Sequence, residues 1–223
     1  MVILITGTSR GIGFELVKKL CNDHLIIAVS RSAMHFSHPN VHFIKGDIYD
    51  ESTIHQCKNY LNRNQQCLDI LINNAGILIN KSFEKITKDE LEKVYQTNVF
   101  GVFYLIQQML PFLSKSKKSH IVNISSMGGI NGTQKFPGLS VYSSSKGAVS
   151  ILTECLAEEL KTYSISCNAL ALGAVQTEML SAAFPDFKAP LSPSEMADFV
   201  VWFALNGHQF FNGKILPVAI STP

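Results

Sequence analysis

At 223 residues, with 46% hydrophobic and 16% charged content, the chain has material for one sizeable α/β core or at most two small domains. A net charge of +2 gives no electrostatic case for nucleic acid or an anionic membrane as main partner, and no run of about 18 apolar residues marks a transmembrane helix. Cys21, Cys57, Cys67, Cys155 and Cys167 are scattered, odd in number and without C-x-x-C spacing, so neither a metal site nor a disulfide framework is expected. Reduced thiols and a start that lacks a basic n-region point to a cytoplasmic protein.

Val2-Ile-Leu-Ile5 is a continuous apolar run of the kind a buried parallel strand shows. It enters Thr6-Gly-Thr-Ser-Arg-Gly-Ile-Gly13, and Phe14–Leu20 resumes at helical period. Strand, glycine turn and helix make the context in which glycines bind a dinucleotide. Gly7 permits the tight turn, Gly11 lets backbone approach a pyrophosphate, and Gly13 allows close helix–strand packing. Ser9, Arg10 and Ile12 complete the turn, and the helix N-terminus supplies free N–H groups for phosphate.

His24–Val29 is the second strand, ending in Ser30-Arg31. Sites for NAD place Asp or Glu at this strand end to hold the ribose 2′-OH, whereas Arg accommodates the 2′-phosphate of NADP. Here Ser30 stands in the acid's place, followed by Arg31, and Arg10 can reach the same phosphate. NADP(H) is therefore expected over NAD(H). Val41–Ile44 is the third strand, followed by Asp47-Ile48, where Asp47 is either an adenine ligand or a turn residue. A helix starts near Asp50 with acids in its first turn and ends near Asn64.

Leu68–Ile72, the fourth strand, runs into Asn73-Asn74-Ala75-Gly76, small residues suited to close approach to the cofactor ribose. Thr87-Lys-Asp-Glu90 has capping-box form and opens one long helical segment to about Leu113. Asn98 lies in its apolar stretch. It is either a satisfied core amide or an amide that binds an ordered water in a proton path. Ser119–Ile124 is the fifth strand, ending in Ser125-Ser126, and a Gly-rich loop over 127–140 follows.

Tyr142 and Lys146 then stand four residues apart at the start of an amphipathic helix, so they share one face. An ammonium beside a phenol favours phenolate and brings tyrosine toward neutrality, where it can exchange a proton. Ser164–Leu170 is the sixth strand and leads through Gly173 and Val175 to Thr177, a candidate partner of a nicotinamide carboxamide. Residues 178–192 lack a clean period and form either a substrate lid or a plain surface connection. Met179, Phe184 and Phe187 there are either a partly apolar substrate wall or core. Ser192 caps a helix with Pro193 at its first position, running to about Asn206, and Lys214–Val218 is the last strand.

The alternation specifies a doubly wound, Rossmann-type α/β domain over residues 1–223, with a mostly parallel seven-stranded sheet. The glycine turn, Asn73-Asn-Ala-Gly76, Asn98, Ser126 and Tyr142-x-x-x-Lys146, in that order, resemble the short-chain dehydrogenase/reductase family from Val2 to about Val218. The resemblance implies that Tyr142 exchanges a proton with a carbonyl or alcohol. It implies that Lys146 lowers the Tyr142 pKa and holds the nicotinamide ribose, that Ser126 orients the substrate oxygen, and that Asn98 positions a water. Ser126 is chosen over Ser125 as the second serine after the strand. Leu172 replaces the family's proline before Gly173, and Val218–Pro223 replaces its usual Asp-Gly-Gly end. The expected activity is NADPH-dependent reduction of a ketone or aldehyde, or the reverse, by a homodimer or homotetramer. The alternatives are a 3-oxoacyl carrier-protein reductase and a non-catalytic NADP-binding sensor or scaffold.

Overall fold

The computed structural model describes residues 1–64 and 66–222. The strands are β1 (Val2–Thr6), β2 (Leu25–Ser30), β3 (Val41–Lys45), β4 (Ile70–Asn73), β5 (Ser119–Ser126), β6 (Ile165–Leu172) and β7 (Ile215–Val218). They form one sheet in the order β3-β2-β1-β4-β5-β6-β7, each neighbouring pair parallel. The expected doubly wound sheet is therefore present. After β3 the chain returns to the far side of β1 to lay down β4, and this reversal opens a crevice at the carboxyl ends of β1 and β4.

The helices are α1 (Gly11–Leu20), α2 (Glu51–Arg63), α3 (Lys88–Tyr95), α4 (Gly101–Leu113), α5 (Ser140–Glu159), α6 (Glu178–Ala183) and α7 (Pro193–Asn206). Strand side chains alternate between two cores, as a pleat requires. Val2 and Leu4 join Ile54, Leu61, Val102, Leu105, Ile106 and Met109 under α2 and α4. Ile3 and Ile5 join Leu16, Val17, Leu20, Val200 and Phe203 under α1 and α7. The sheet is thus covered on both faces, which is why its strands read as unbroken apolar runs.

Two expectations about elements need correction. Residues 88–113 are not one α-helix, because α3 gives way to a π-helical turn over Gln96–Phe100 before α4 begins. Residues 178–192, which show no clean period in the sequence, open with the short helix α6, whose Leu180 N–H donates to the Thr177 hydroxyl. Strand β4 begins at Ile70 rather than Leu68. Of the Val218–Pro223 tail, Pro223 lies outside the described residues.

Beneath the sheet end away from the crevice, His120 is 1% exposed. Its Nδ1 is 3.0 Å from the Ala204 carbonyl and its Nε2 3.0 Å from Asn168 Nδ2, so Nδ1 carries the proton and Nε2 accepts. Burial, with the nearby His208 ring adding repulsion, pushes its pKa down to about 4. The native state therefore refuses a proton that the unfolded chain takes up below about pH 6.5, so stability is intact above that pH and is lost as pH falls toward 4. We expect His120→Gln to remove part of this acid sensitivity, which amounts to on the order of 3 kcal/mol in the wild type. Chemical denaturation at pH 7 and pH 4.5 measures it, and an unchanged pH slope in the variant would contradict the assignment.

Candidate active site

A cleft of about 470 Å³ lies along the carboxyl ends of the strands. Its walls include Gly7, Ser9, Arg10, Gly11 and Ile12 after β1, Ser30 and Arg31 at β2, and Asp47 and Ile48 after β3. Asn74, Ala75 and Gly76 line it after β4, Ser126 at β5, Tyr142 and Lys146 on α5, and Gly173, Val175 and Thr177 after β6. The structure thus brings nearly every expected site residue to one place. Gly13 and Asn98 do not line the cleft and act from behind it.

The glycine turn shows why its glycines are needed. Gly7 has φ +73, and a side chain there would stand 2.8 Å from Ala75 Cα. A side chain on Gly13 would overlap the Gly7 carbonyl oxygen and come within 2.5 Å of Asn74 Nδ2. Asn74 spends its amide nitrogen on backbone. Its Nδ2 donates to the carbonyls of Thr6 (3.0 Å) and Gly7 (3.2 Å), while Thr6 Oγ1 accepts from the N–H groups of Asn74 (3.1 Å) and Ala75 (2.9 Å). These bonds fasten the turn to the end of β4. Arg10, at the N-cap of α1, makes no side-chain cap bond, so the helix N-terminus keeps donors for a phosphate. The cradle fits the pyrophosphate of a dinucleotide.

At the adenosine end no carboxylate follows β2 directly. Ser30 is 6% exposed and its Oγ donates to the Ser32 carbonyl (2.9 Å). Arg31 lies 3.8 Å from the partly buried Asp47, and Arg10 pairs with Glu178 at 2.6 Å in the open. Asp47 also accepts from the Tyr49 N–H (3.1 Å), the bond of a turn residue. Thr177 has its hydroxyl engaged in capping α6, where it accepts from the Leu180 N–H (3.2 Å).

Tyr142 and Lys146 lie in the first two turns of α5. Lys146 is 5% exposed, and its Nζ donates to the Ile124 carbonyl (2.7 Å) and lies 5.9 Å from the centre of the Tyr142 ring. Burial lowers its pKa to about 8. The expectation of a phenol drawn toward phenolate by this ammonium needs correction. Burial pushes the Tyr142 phenol up, and the opposing influence is a hydrogen bond with Ser126, not the lysine. A group that loses hydration favours its neutral form, so Tyr142 stands as a protonated phenol.

The choice between the two serines is geometric. Ser125 is 2% exposed, and its hydroxyl is spent on the Lys146 carbonyl (3.1 Å) and on Ser150 (2.9 Å). Ser126 faces the cleft. Its Oγ accepts from the Gly128 N–H (3.3 Å), which leaves its own proton for a group in the cleft.

Asn98, fully buried in the π-helical turn, accepts from the Ile77 N–H (2.9 Å) and donates to the Ile77 carbonyl (3.0 Å) and to Ser145 Oγ (2.9 Å). Its amide is a satisfied core group, which is the first of its two readings; both N–H donors are taken by protein. Ser145, a residue that sequence reasoning missed, passes the tie on by donating to the Tyr142 carbonyl (2.7 Å). The only signal in the sequence is a serine three residues after a helical tyrosine, a spacing that allows a bond back to the preceding turn. Asn98 and Ser145 together hold the strand-end loop and the tyrosine's backbone in one register.

A family model described as short chain dehydrogenase matches residues 1–187. A 3-oxoacyl-(acyl-carrier-protein) reductase of Aquifex aeolicus is 29% identical over 238 residues, spanning 97% of this chain and 95% of its own. A 3-ketodihydrosphingosine reductase of Bacteroides thetaiotaomicron is 33% identical over 165 residues, 74% of this chain and 60% of its own. Among solved structures, a 3-ketoacyl-(acyl-carrier-protein) reductase of Brucella melitensis in complex with NADH superposes with a TM-score of 0.88 at 25% identity, over 97% of this chain and 96% of its own. No helix among the described residues is long and apolar enough to cross a membrane. With its doubly wound sheet, its dinucleotide cradle and the match to the family model, the chain belongs to the short-chain dehydrogenase family, oxidoreductases that act with a nicotinamide dinucleotide.

Proposed function

We propose that the chain is an NADPH-dependent carbonyl reductase in which Tyr142 is the proton donor. The observation that carries this reading is the placement of Tyr142 on the wall of the dinucleotide cleft, with Ser126 on the same wall and the buried Lys146 ammonium 5.9 Å from the tyrosine ring centre. When bound, the nicotinamide supplies a hydride to the carbonyl carbon. Ser126 orients the substrate oxygen and stabilises the charge that develops on it. Tyr142 delivers its proton to that oxygen, and a neutral phenol is the form required for this direction. Lys146 contributes a positive charge behind the tyrosine, and a lysine whose pKa is about 8 remains mostly charged at neutral pH. Asn98 and Ser145 act as positioning residues, fixing the turn of helix from which Tyr142 projects.

Preference for NADPH rests on Ser30 and Arg31 at the end of β2, with Arg10 across the turn. The Arg10 pair is exposed and the Arg31 pair is long at 3.8 Å, so both contribute little and are easily exchanged for a phosphate. We expect Arg31→Asp to lower kcat/KM with NADPH by 10-fold or more and to raise it with NADH. Steady-state rates with each cofactor check this. Comparable rates of the wild type with both would overturn the preference.

A second reading is a 3-oxoacyl carrier-protein reductase, favoured by the Aquifex and Brucella relatives, which bear such names over nearly the whole chain. Turnover of an acetoacetyl thioester on a carrier protein, compared with simple ketones, separates the two. The reductase itself is tested by oxidation of NADPH against a panel of ketones and aldehydes, and no turnover on any carbonyl compound would return the protein to a binding role. A homodimer or homotetramer is proposed as the working assembly.

A further inference from the structure

On the substrate side the cleft is walled by Leu78, Met127, Phe136, Leu139, Met179 and Phe184. Phe136 in the loop after β5 meets Phe184 just past α6 edge to face, their centres 6.0 Å apart, so two aromatic rings stand on the substrate side of the cleft. Hydrogen bonds from residues 80 and 81 fasten the backbone beside each ring. Asn80 Nδ2 donates to the Ala183 carbonyl (2.8 Å), and the Lys81 N–H donates to that of Gly138 (3.0 Å).

Behind Phe136 lies a second groove, of about 550 Å³, between residues 82–84 and 135–140. Phe136, Leu139 and Ser143 line both spaces, so the groove adjoins the substrate end of the cleft with the Phe136 ring between them. Its outer wall is Phe83, 80% exposed, with Pro137 beside it. Lys135, the cation at this groove, turns its ammonium onto the carbonyls of Ile130 (2.7 Å) and Thr133 (2.9 Å). Glu84 lies at the rim of this groove, but an exposed phenylalanine and a proline beside an active-site cleft still offer a place for substrate, because each methylene laid against them leaves water.

We infer that the groove takes the apolar tail of an elongated carbonyl substrate, an unbranched alkyl ketone or acyl compound whose carbonyl sits at Tyr142 and whose chain passes Phe136 to lie on Phe83. The inference rests on the carbonyl-reductase reading. Tail contacts form equally in ground and transition states, so they lower KM rather than raise kcat.

The test is a series of 2-alkanones from 2-butanone to 2-undecanone with NADPH. kcat/KM should rise by about threefold to fourfold per added methylene over part of the series, chiefly through KM. Phe83→Ser, at a site too exposed to disturb the core, should flatten the upper part of that rise and leave 2-butanone unchanged. Turnover without dependence on chain length, or a rise that Phe83→Ser does not alter, would overturn the groove while sparing the reductase. If no ketone turns over, the reductase reading falls, and calorimetric titration of 2-undecanone into the enzyme with NADP then decides the groove. Binding weakened by Phe83→Ser supports the groove, and absence of binding overturns it.

Discussion

Tyr142→Phe is expected to lower kcat by roughly 100- to 10,000-fold, the range removed with a general acid, while the dissociation constant for NADPH changes by less than a few fold. The substitution takes away one oxygen on the cleft wall. It leaves the α5 backbone, the Ser145 bond to the Tyr142 carbonyl and the glycine cradle as they are. Ser126 keeps its bond from the Gly128 N–H, and its own proton faces the open cleft. Stopped-flow reduction and fluorescence titration of NADPH separate the two quantities. Turnover at a tenth of the wild-type rate or better would remove Tyr142 from the role of proton donor, and a large loss of NADPH binding would make it a cofactor ligand first.

Gly13→Ala carries the largest expected effect on cofactor binding. The new methyl would overlap the Gly7 carbonyl oxygen and press on Asn74 Nδ2, atoms that belong to backbone and to a bonded amide rather than to a side chain free to swing away. Relief requires α1 to move off β1, which opens the phosphate cradle and strains the Asn74 bonds together. A loss of 1–3 kcal/mol is the usual cost of such overpacking, which for a chain of this size lowers Tm by about 2–10 °C. NADPH affinity should fall at least 10-fold. Gly11→Ala is the internal contrast. Its methyl would meet only Thr177 Cγ2, at 3.5 Å, so space is not its difficulty and its cost comes from φ +58. Equal affinity for NADPH in Gly13→Ala and wild type would show that the cradle tolerates a side chain there.

Much of this was legible because parallel strands covered on both faces must be apolar at every position. Val2–Ile5 and Leu25–Val29 announce themselves for that reason, and the glycine turn between them follows from its context. The helix that begins at Pro193 was equally plain, since Ser192 and Glu195 cap each other's backbone as their spacing implies. Three features were hidden for distinct reasons. The π-helical turn at Gln96–Phe100 depends on bonds from Asn98 to Ile77, a partner 21 residues away that no local pattern reveals. Six-residue α6 is shorter than two helical turns and shows no period. The ionisation of Tyr142 is hidden because spacing gives the distance to Lys146 along a helix but not the loss of hydration at the phenol on the cleft wall, which favours its neutral form.

The widened turn before α4 also constrains how this chain can vary. A π-helical turn holds one residue more than the α-helix it interrupts, and one residue is worth about 100° of rotation. The wider turn spreads its rotation over that extra residue, so Val102, Leu105, Ile106 and Met109 still face the sheet as they would in an unbroken helix. Loss of one residue between Tyr95 and Gly101 would close the turn to ordinary α-helix and leave Phe103 and Tyr104 on the outer surface. What such a loss would displace is Asn98, whose amide ties the helix to the Ile77 backbone.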